Sequence, residues 1–258
     1  MGALTEPIVE PDVEGSAVPE VRMPQGRKSS RRVRLRLWLR RALYAAVILG
    51  AIPAVFTFLY FPSFVHPVST LMMKDLVTFN GYDRRWVSLD DIAPVLVSSV
   101  VMSEDGQFCY HRGIDWAELN GVIDDAMAGE LTRGASTITM QTVKNLYLWH
   151  RPLGTVRKVL ELPLAVYVDA VLSKKRIIEI YLNIAEWGPN IYGIEAAAQH
   201  HFGKPAKLLS ARQAALLAVT LPNPIDRDPA HPGPGLKRLA SIIQKRAANA
   251  GSHVRCLD

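Results

Sequence analysis

The most informative stretch of the sequence is SEDGQFCYHRG, which runs from Ser103 to Gly113. It places two adjacent carboxylates, Glu104 and Asp105, within a few residues of aromatic rings, an imidazole and an arginine. An apolar run, residues 92–102, comes directly before it, and its spacing predicts a buried helix. Carboxylates at the end of a buried helix favour a functional site, although the stretch by itself fits a capped helix end equally well.

The sequence on both sides of this stretch predicts a mostly α domain. Ser88, followed by two acids, predicts the N-cap of the helix that leads to Glu104. Alternating apolar and polar runs between turn residues hardly occur, so at most a minor strand element is expected. Further helices are predicted over residues 115–129, 136–148, 155–172, 173–184, 191–202, 210–221 and 235–249.

The charge of the chain is concentrated in one short arm. The net charge is +6 and the isoelectric point is near 9.4. Nine Lys and Arg residues lie between positions 22 and 41 without an acid, while residues 42–258 hold 21 bases against 19 acids. A nucleic-acid-binding protein more often spreads basic residues over its folded domain. We therefore expect no nucleic-acid partner.

Residues 42–61, ALYAAVILGAIPAVFTFLYF, carry no charge. As a helix they would span roughly 30 Å, the hydrocarbon thickness of a bilayer. The segment begins too far along the chain for a signal peptide and is too long for an ordinary core helix, so we interpret it as an uncleaved transmembrane anchor. Basic residues before it place the N-terminus in the cytoplasm. The predicted parts are a disordered cytoplasmic tail (1–26), a basic juxtamembrane arm (27–41), the anchor (42–61) and an extracytoplasmic domain (62–258).

A second polar cluster begins at Ser136 and Thr137, at a predicted helix start. Unpaired backbone N–H groups at such a position favour an anion. Gln141 can share a helix face with Lys144 and Asn145, which follow three and four residues later. A well-capped helix with a polar face explains the same residues equally well.

Two more clusters follow along the chain. Arg157 and Glu161 have the spacing of an ordinary surface ion pair, with Lys158 beside them. An apolar run follows Glu161, which suggests that this carboxylate points inward beside Glu104. Asn183 and Glu195 interrupt apolar helical faces, where a polar group needs a partner or a function.

Cysteine and histidine give weaker signals. Cys109 and Cys256 do not form a disulfide framework, and the sequence leaves open whether they pair. A metal site from His111, His200 and His201 lacks any HExxH or CxxC spacing, so no metal ligand is predicted.

Taken together in order, these clusters resemble the motif set of the peptidoglycan glycosyltransferases of family 51. The resemblance runs from about Trp86 to Pro224, and five ordered motifs are far more specific than any one. Met140 stands where a second glutamine is common in the family, and none of the departures removes a residue with a proposed role. The sequence contains no Ser-x-x-Lys, Ser-Asp-Asn or Lys-Thr-Gly motif, which predicts the monofunctional form without a transpeptidase domain. The motifs are EDxxFxxHxG (104–113), GxSTITxQxxKN (134–145), RKxxE (157–161), YLN (181–183) and GxEAA (193–197).

The resemblance implies a lysozyme-like helical glycosyltransferase domain with a membrane-proximal lobe, preceded by one transmembrane helix. It implies polymerisation of lipid II into β-1,4 glycan strands, with inversion and release of undecaprenyl pyrophosphate. Glu104 is the expected base, and Glu161 is expected to take part in catalysis by orienting a cation or the donor. The residues expected to bind substrate are Asp105, Phe108, His111, Ser136, Thr137, Gln141, Lys144, Asn145, Arg157, Lys158, Asn183 and Glu195.

The resemblance also implies a setting for the enzyme. No cofactor is expected to be required, and a divalent metal ion, Mg or Mn, accompanying the pyrophosphate is left open. The expected location is the bacterial inner membrane, in a single pass, with the catalytic domain in the periplasm. Expected partners are lipid II, the growing lipid-linked glycan and the membrane, with other cell-wall synthesis and division proteins left open.

Two other functions remain open from sequence. A lysozyme-like hydrolase or lytic transglycosylase is also mostly α with a glutamate at a helix end, but it needs no cationic cluster for a pyrophosphate. A membrane-anchored scaffold without enzymatic activity would tolerate substitution of Glu104 and Lys144.

Overall fold

The computed structural model describes residues 27–129, 134–149 and 154–258, so the tail predicted over residues 1–26 lies outside the described residues. The described chain is mostly helical, which confirms the predicted fold class. Its α-helices are α1 (Arg27–Leu59), α2 (Thr70–Val77), α3 (Pro94–Glu104), α4 (Trp116–Met127), α5 (Ile138–Tyr147), α6 (Gly154–Val171), α7 (Lys174–Ile184), α8 (Ile194–Phe202), α9 (Ala211–Thr220) and α10 (Pro234–Ala248).

Helix α1 contains the predicted anchor. Its segment Val33–Leu59 has a mean hydropathy of 2.2 and is long and apolar enough to cross a membrane. Two compact units divide the chain at this helix, Met1–Ile48 and Leu49–Asp258. The predicted division into tail, basic arm, anchor and extracytoplasmic domain stays a prediction.

In the second unit the end of α1 packs on the helices that carry the predicted site. The Thr57 hydroxyl lies 2.8 Å from the Tyr147 hydroxyl, at the end of α5. Arg176, at the start of α7, is buried and donates to the carbonyls of Tyr60 (2.9 Å) and Pro62 (3.0 Å) just beyond α1. The chain leaving the apolar helix is therefore fixed to the helical domain by a buried guanidinium.

The predicted helix from Ser88 to Glu104 is wrong in its first part. Leu89–Asp91 forms a short 3-10 helix, the chain is extended at Ile92, and α3 begins only at Pro94. The physical reason is the proline. It disfavours a helical conformation at Ala93, and its missing N–H suits the first position of a helix. The end of the helix at Glu104 is as predicted.

A small sheet replaces the first turn of the predicted helix 191–202. Strand β1 (Asp83–Arg84) pairs in parallel with β3 (Ile191–Tyr192), which pairs antiparallel with β2 (Glu186–Gly188). Helix α8 therefore starts at Ile194, after Gly193. Gly193 has φ of 81°, and a Cβ there would lie 2.9 Å from the Asn183 carbonyl oxygen, so only glycine fits the close approach.

Two packed groups of helices form one buried core. Helix α10 packs on α9 and α3, while α5 packs on α6 and α7. A disulfide between Cys109 and Cys256 joins the loop after α3 to the 3-10 helix Gly251–Leu257, and so settles the pairing that the sequence left open. The helix that ends at Glu104 and the helix that starts after Thr137 thus belong to different packed groups.

Candidate active site

Glu104 lies at the last position of α3, where the helix reaches the surface of the core. Its Oε2 accepts a hydrogen bond of 3.0 Å from the Gln141 amide on α5. The oxygen of the same amide group, Gln141 Oε1, accepts a bond of 3.0 Å from the Tyr181 hydroxyl on α7. Because the tyrosine fixes which end of the amide faces Glu104, three helices cooperate in positioning one carboxylate.

The protonation of Glu104 reflects two opposed influences. Burial raises the pKa of its carboxyl group above the ordinary value. Hydrogen bonds from Gln141 and Ser103, followed by the positive charge of Lys144, lower this pKa in part. A carboxylate whose pKa is raised by burial is a stronger base than one in water, which suits proton abstraction.

A cationic cluster lies on the first turns of α6. Glu161 is 2% exposed and forms ion pairs with Arg157 and with Lys158, the latter at 3.1 Å. Lys158 Nζ also donates to the Ser136 hydroxyl at 2.6 Å, just before α5. The predicted surface pair is therefore a partly buried cluster, in which Glu161 pairs with both cations and Lys158 also contacts the start of α5.

Lys144 connects this cluster electrostatically to Glu104. Burial lowers the pKa of its ammonium group, and the negative charge of Glu161 raises it. Weaker influences come from Arg157 and Lys158, which lower this pKa, and from Glu104, which raises it. Lys144 thus interacts electrostatically both with the base candidate and with the charged cluster on α6.

Asp105 and Thr137 build the frame of the site. Asp105 Oδ2 accepts from the Ile138 amide at 2.9 Å, where a helix N-terminus favours negative charge. His111 Nε2 lies 3.0 Å from both Asp105 oxygens. The Thr137 hydroxyl donates to the Gly113 carbonyl at 2.6 Å and accepts from the Met140 amide at 3.1 Å. These contacts fix α5 to the loop after α3.

Phe108 lies beneath the site and is fully buried. The Lys174 ammonium lies 4.5 Å from its ring centroid and 2.6 Å from Asp169. Asp169 in turn accepts from the Thr139 hydroxyl on α5 at 3.1 Å. Phe108 thus contacts a network that ends on α5, and its contacts are structural.

Three other predicted residues make structural contacts. Asn183 is fully buried. Its side-chain oxygen accepts from the Val87 backbone N–H, and its side-chain nitrogen donates to the Val87 carbonyl, each at 2.9 Å. Glu195 accepts from the Ala206 amide at 2.7 Å and from Gln199 at 2.9 Å. Asn145 is 8% exposed on α5, and its backbone carbonyl accepts from the Thr70 hydroxyl at 3.3 Å. Substrate contact by these three side chains stays a prediction.

A cleft of about 520 Å³ opens beside Glu104. One wall comes from the loop after α3, and another from Ser136 and the residues around it. The remaining walls contain Asp115 and Glu118 at the start of α4, and Arg246 and His253 near the C-terminus. The cleft thus exposes the base candidate next to a serine that contacts the cationic cluster.

Sequence reasoning missed several of these residues. Tyr181 is the first residue of the YLN motif, so its motif position was a signal that it takes part in the site, where it donates to Gln141. Arg246 and His253 lie outside every motif, and only the three-dimensional fold places them at the cleft. In residues 27–129, 134–149 and 154–258, no group of three or more His, Cys, Asp or Glu side chains is placed to hold a metal ion.

A partly buried carboxylate at an open cleft, with cations on two neighbouring helices, suits group transfer from an anionic donor. The family model described as Transglycosylase matches residues 72–248. Three relatives carry the name biosynthetic peptidoglycan transglycosylase. The relative from Mesorhizobium japonicum is 75% identical over 224 residues, which cover 87% of this chain and 95% of the relative. The relatives from Rhizobium etli and Brucella suis are 60% and 58% identical, covering 85% and 84% of this chain and 94% and 96% of their own.

This chain therefore belongs to the transglycosylase family, and it is a glycosyl-transferring enzyme. The resemblance read from the motifs is confirmed, as is the lysozyme-like helical fold that it implies.

Proposed function

We propose that this enzyme polymerises lipid II into β-1,4 glycan strands of peptidoglycan, releasing undecaprenyl pyrophosphate. The name shared by the relatives supports the substrate class. The observation that carries the proposal is the partly buried Glu104 carboxylate, which is held by Gln141 and interacts electrostatically with Lys144, as the Glu161 cluster does. A hydrolase of finished glycan needs the carboxylate but has no pyrophosphate for such a cluster to bind.

In the proposed reaction Glu104 removes the proton from the 4-hydroxyl of the acceptor sugar. The hydroxyl oxygen then forms a bond to C1 of the donor, on the face opposite the pyrophosphate. The bond between C1 and the pyrophosphate oxygen breaks at the same time, and its electron pair leaves with the pyrophosphate. Attack from the opposite face inverts the α donor and yields the β linkage.

The cations act on the leaving group. Negative charge grows on the pyrophosphate as the bond to C1 breaks, and fixed cations stabilise this growing charge more than the ground state. Arg157, Lys158 and Lys144 have this role in the proposal, while Glu161 holds the first two in place. Ser136 positions Lys158 and would accept or donate to a phosphate oxygen.

The test is Glu104→Gln, assayed with purified lipid II. The amide cannot take the proton, so polymer formation should fall by roughly 10²- to 10⁴-fold, while lipid II binding is retained. Asp125→Asn, on the exposed face of α4, is the matched loss of a carboxylate and should leave the rate unchanged. Unchanged turnover of Glu104→Gln, or release of fragments from purified cell wall instead of polymer growth, would refute the proposal.

We also propose that the enzyme requires no cofactor, because the same cationic cluster can bind the pyrophosphate. Three cations can balance a pyrophosphate without a metal ion, so polymerisation should persist when EDTA removes divalent ions. Added Mg²⁺ or Mn²⁺ should change the rate by less than about tenfold. Complete loss of polymerisation in EDTA, restored by one of these ions, would show that a metal is required.

We further propose that α1 anchors the enzyme in the inner membrane, with its N-terminus in the cytoplasm and its catalytic domain in the periplasm. Support comes from the apolar segment Val33–Leu59 and the basic residues at its start. The full-length protein should sediment with inner membranes, and deletion of residues 1–61 should abolish this retention while leaving some activity in vitro. Recovery of the full-length protein in the soluble fraction would contradict the topology. Contacts with other cell-wall synthesis and division proteins stay a prediction.

A further inference from the structure

The C-terminal part of the chain forms a wall of the active-site cleft, although it lies outside every family motif quoted above. Helix α10 packs on α3, the helix that ends at Glu104. Arg246 near the end of α10 and His253 in the following 3-10 helix both line the cleft. Residues from the last turns of the chain therefore face the same space as the base.

Three contacts hold this wall against the loop after Glu104. Cys256 is disulfide-bonded to Cys109 in that loop. His253 Nδ1 donates to the Gly106 carbonyl at 2.6 Å, and its ring meets Tyr110 edge-on with centroids 5.6 Å apart. The backbone of this wall is therefore fixed relative to the loop after Glu104.

Arg246 is the one arginine or lysine among the described residues that line this cleft. Its guanidinium forms no ion pair or hydrogen bond with any side chain or carbonyl in the described parts of the molecule. Two of the three cations assigned to the pyrophosphate differ in this respect, because Arg157 and Lys158 are paired with Glu161. An unpaired arginine facing a substrate cleft is suited to a second anion, which it can bind through two parallel hydrogen bonds.

We infer that Arg246 binds a carboxylate on the peptide of the peptidoglycan precursor. The inference rests on the proposed function, because it takes the substrate from it. Such a precursor carries two kinds of anion, the pyrophosphate and the carboxylates of its peptide. The cluster around Glu161 accounts for the first, and Arg246 on the C-terminal wall accounts for the second. The C-terminal segment is then a determinant of specificity, separate from the base Glu104 and from the cations on α5 and α6 that act on the leaving group.

The test compares two substrates with two enzymes. One substrate is lipid II with free peptide carboxylates, and the other is the same lipid with these groups converted to carboxamides. Wild-type enzyme should show a KM about tenfold lower for the carboxylate form, with similar kcat, since a charge-assisted contact is lost in the amide. Arg246→Gln should remove this preference by raising the KM for the carboxylate form alone. Arg246→Lys should restore part of it.

Arg238→Gln is the matched control, because Arg238 is exposed on the same helix and does not line the cleft. It should keep the wild-type preference. A preference that persists in Arg246→Gln, or equal KM values for the two substrates with wild-type enzyme, would overturn the inference.

A binding measurement separates this inference from the proposed function. The probe is a soluble disaccharide-peptide, with free or amidated carboxylates, titrated into full-length enzyme in detergent without turnover. Tighter binding of the free form to wild type than to Arg246→Gln supports the site even if lipid II is not polymerised. Polymerisation of lipid II with no such difference retains the function and rejects the site.

Discussion

The Gln141 amide donates a 3.0 Å hydrogen bond to the Glu104 carboxylate. The orientation of the Gln141 side chain is fixed by the Tyr181 hydroxyl on α7, which donates to its oxygen. The bond from Gln141 stabilises the charged form of Glu104 against the effect of burial, which raises its pKa. The balance between the two decides the pH at which the base becomes active.

The first prediction concerns that balance. Gln141→Met removes the donor, so the pKa of Glu104 should rise further and the acidic limb of the kcat/KM profile should move to higher pH. At neutral pH the rate should fall about tenfold, because less of the base is ionised. The pH profile of lipid II polymerisation measures the effect. Gln199→Met removes a similar amide contact to Glu195 and should leave the profile in place.

A second prediction concerns Glu161 and the alkaline limb. The negative charge of Glu161 raises the pKa of Lys144, which burial lowers. Glu161→Gln should therefore lower the pKa of Lys144, and activity should be lost at lower pH as the ammonium deprotonates. Loosening of Arg157 and Lys158 should reduce kcat by about tenfold to a hundredfold.

The control for Glu161→Gln is Asp91→Asn, which breaks an exposed ion pair with Lys207 of 3.0 Å. It should change neither kcat nor the pH profile. An alkaline limb that stays in place in Glu161→Gln would show that Lys144 is not the group titrating there.

A third prediction is that Asn183 contributes to the stability of the fold and does not contact the substrate. Asn183→Leu leaves the Val87 backbone groups without their partner and should lower the free energy of unfolding by about 2–4 kcal/mol. Below the unfolding transition the KM for lipid II should match wild type, because the side chain is fully buried. Asn249→Ala, which removes an exposed contact to the Lys245 carbonyl, should be nearly neutral. A large rise in KM with unchanged stability would instead support the substrate contact predicted from sequence.

Asn183 also shows what the sequence could and could not predict. Motif order and charge placement identified Glu104, Gln141 and the Arg157 cluster, because a polar residue between apolar ones needs a partner or a function. The same reasoning cannot tell a partner from a function. The partner of Asn183 is the backbone of Val87, 96 residues away in the sequence, and only the tertiary fold shows this contact.

The limits of the fold prediction have similar causes. Helical periodicity located most helices, whereas Pro94 moved the start of α3 and tertiary pairing with β1 turned Ile191–Tyr192 into a strand. Such a pairing is non-local and leaves little trace in a two-residue segment. Arg246 was unpredictable for the same reason, since its place at the cleft depends on how α10 packs on α3.

The last prediction concerns the Cys109–Cys256 disulfide, which closes a loop with a sequence separation of 147 residues. Cross-linking positions this far apart restricts the unfolded chain strongly, so Cys109→Ser with Cys256→Ser should reduce stability by about 2–5 kcal/mol. The bond also holds the C-terminal wall against the loop after Glu104, so the double variant should lose activity towards lipid II at temperatures where it is still folded. A dithiol reductant should lower the Tm of the wild type, measured by thermal unfolding, and leave that of the double variant unchanged. An equal effect of the reductant on both proteins, or none on the wild type, would contradict the structural role of this bond.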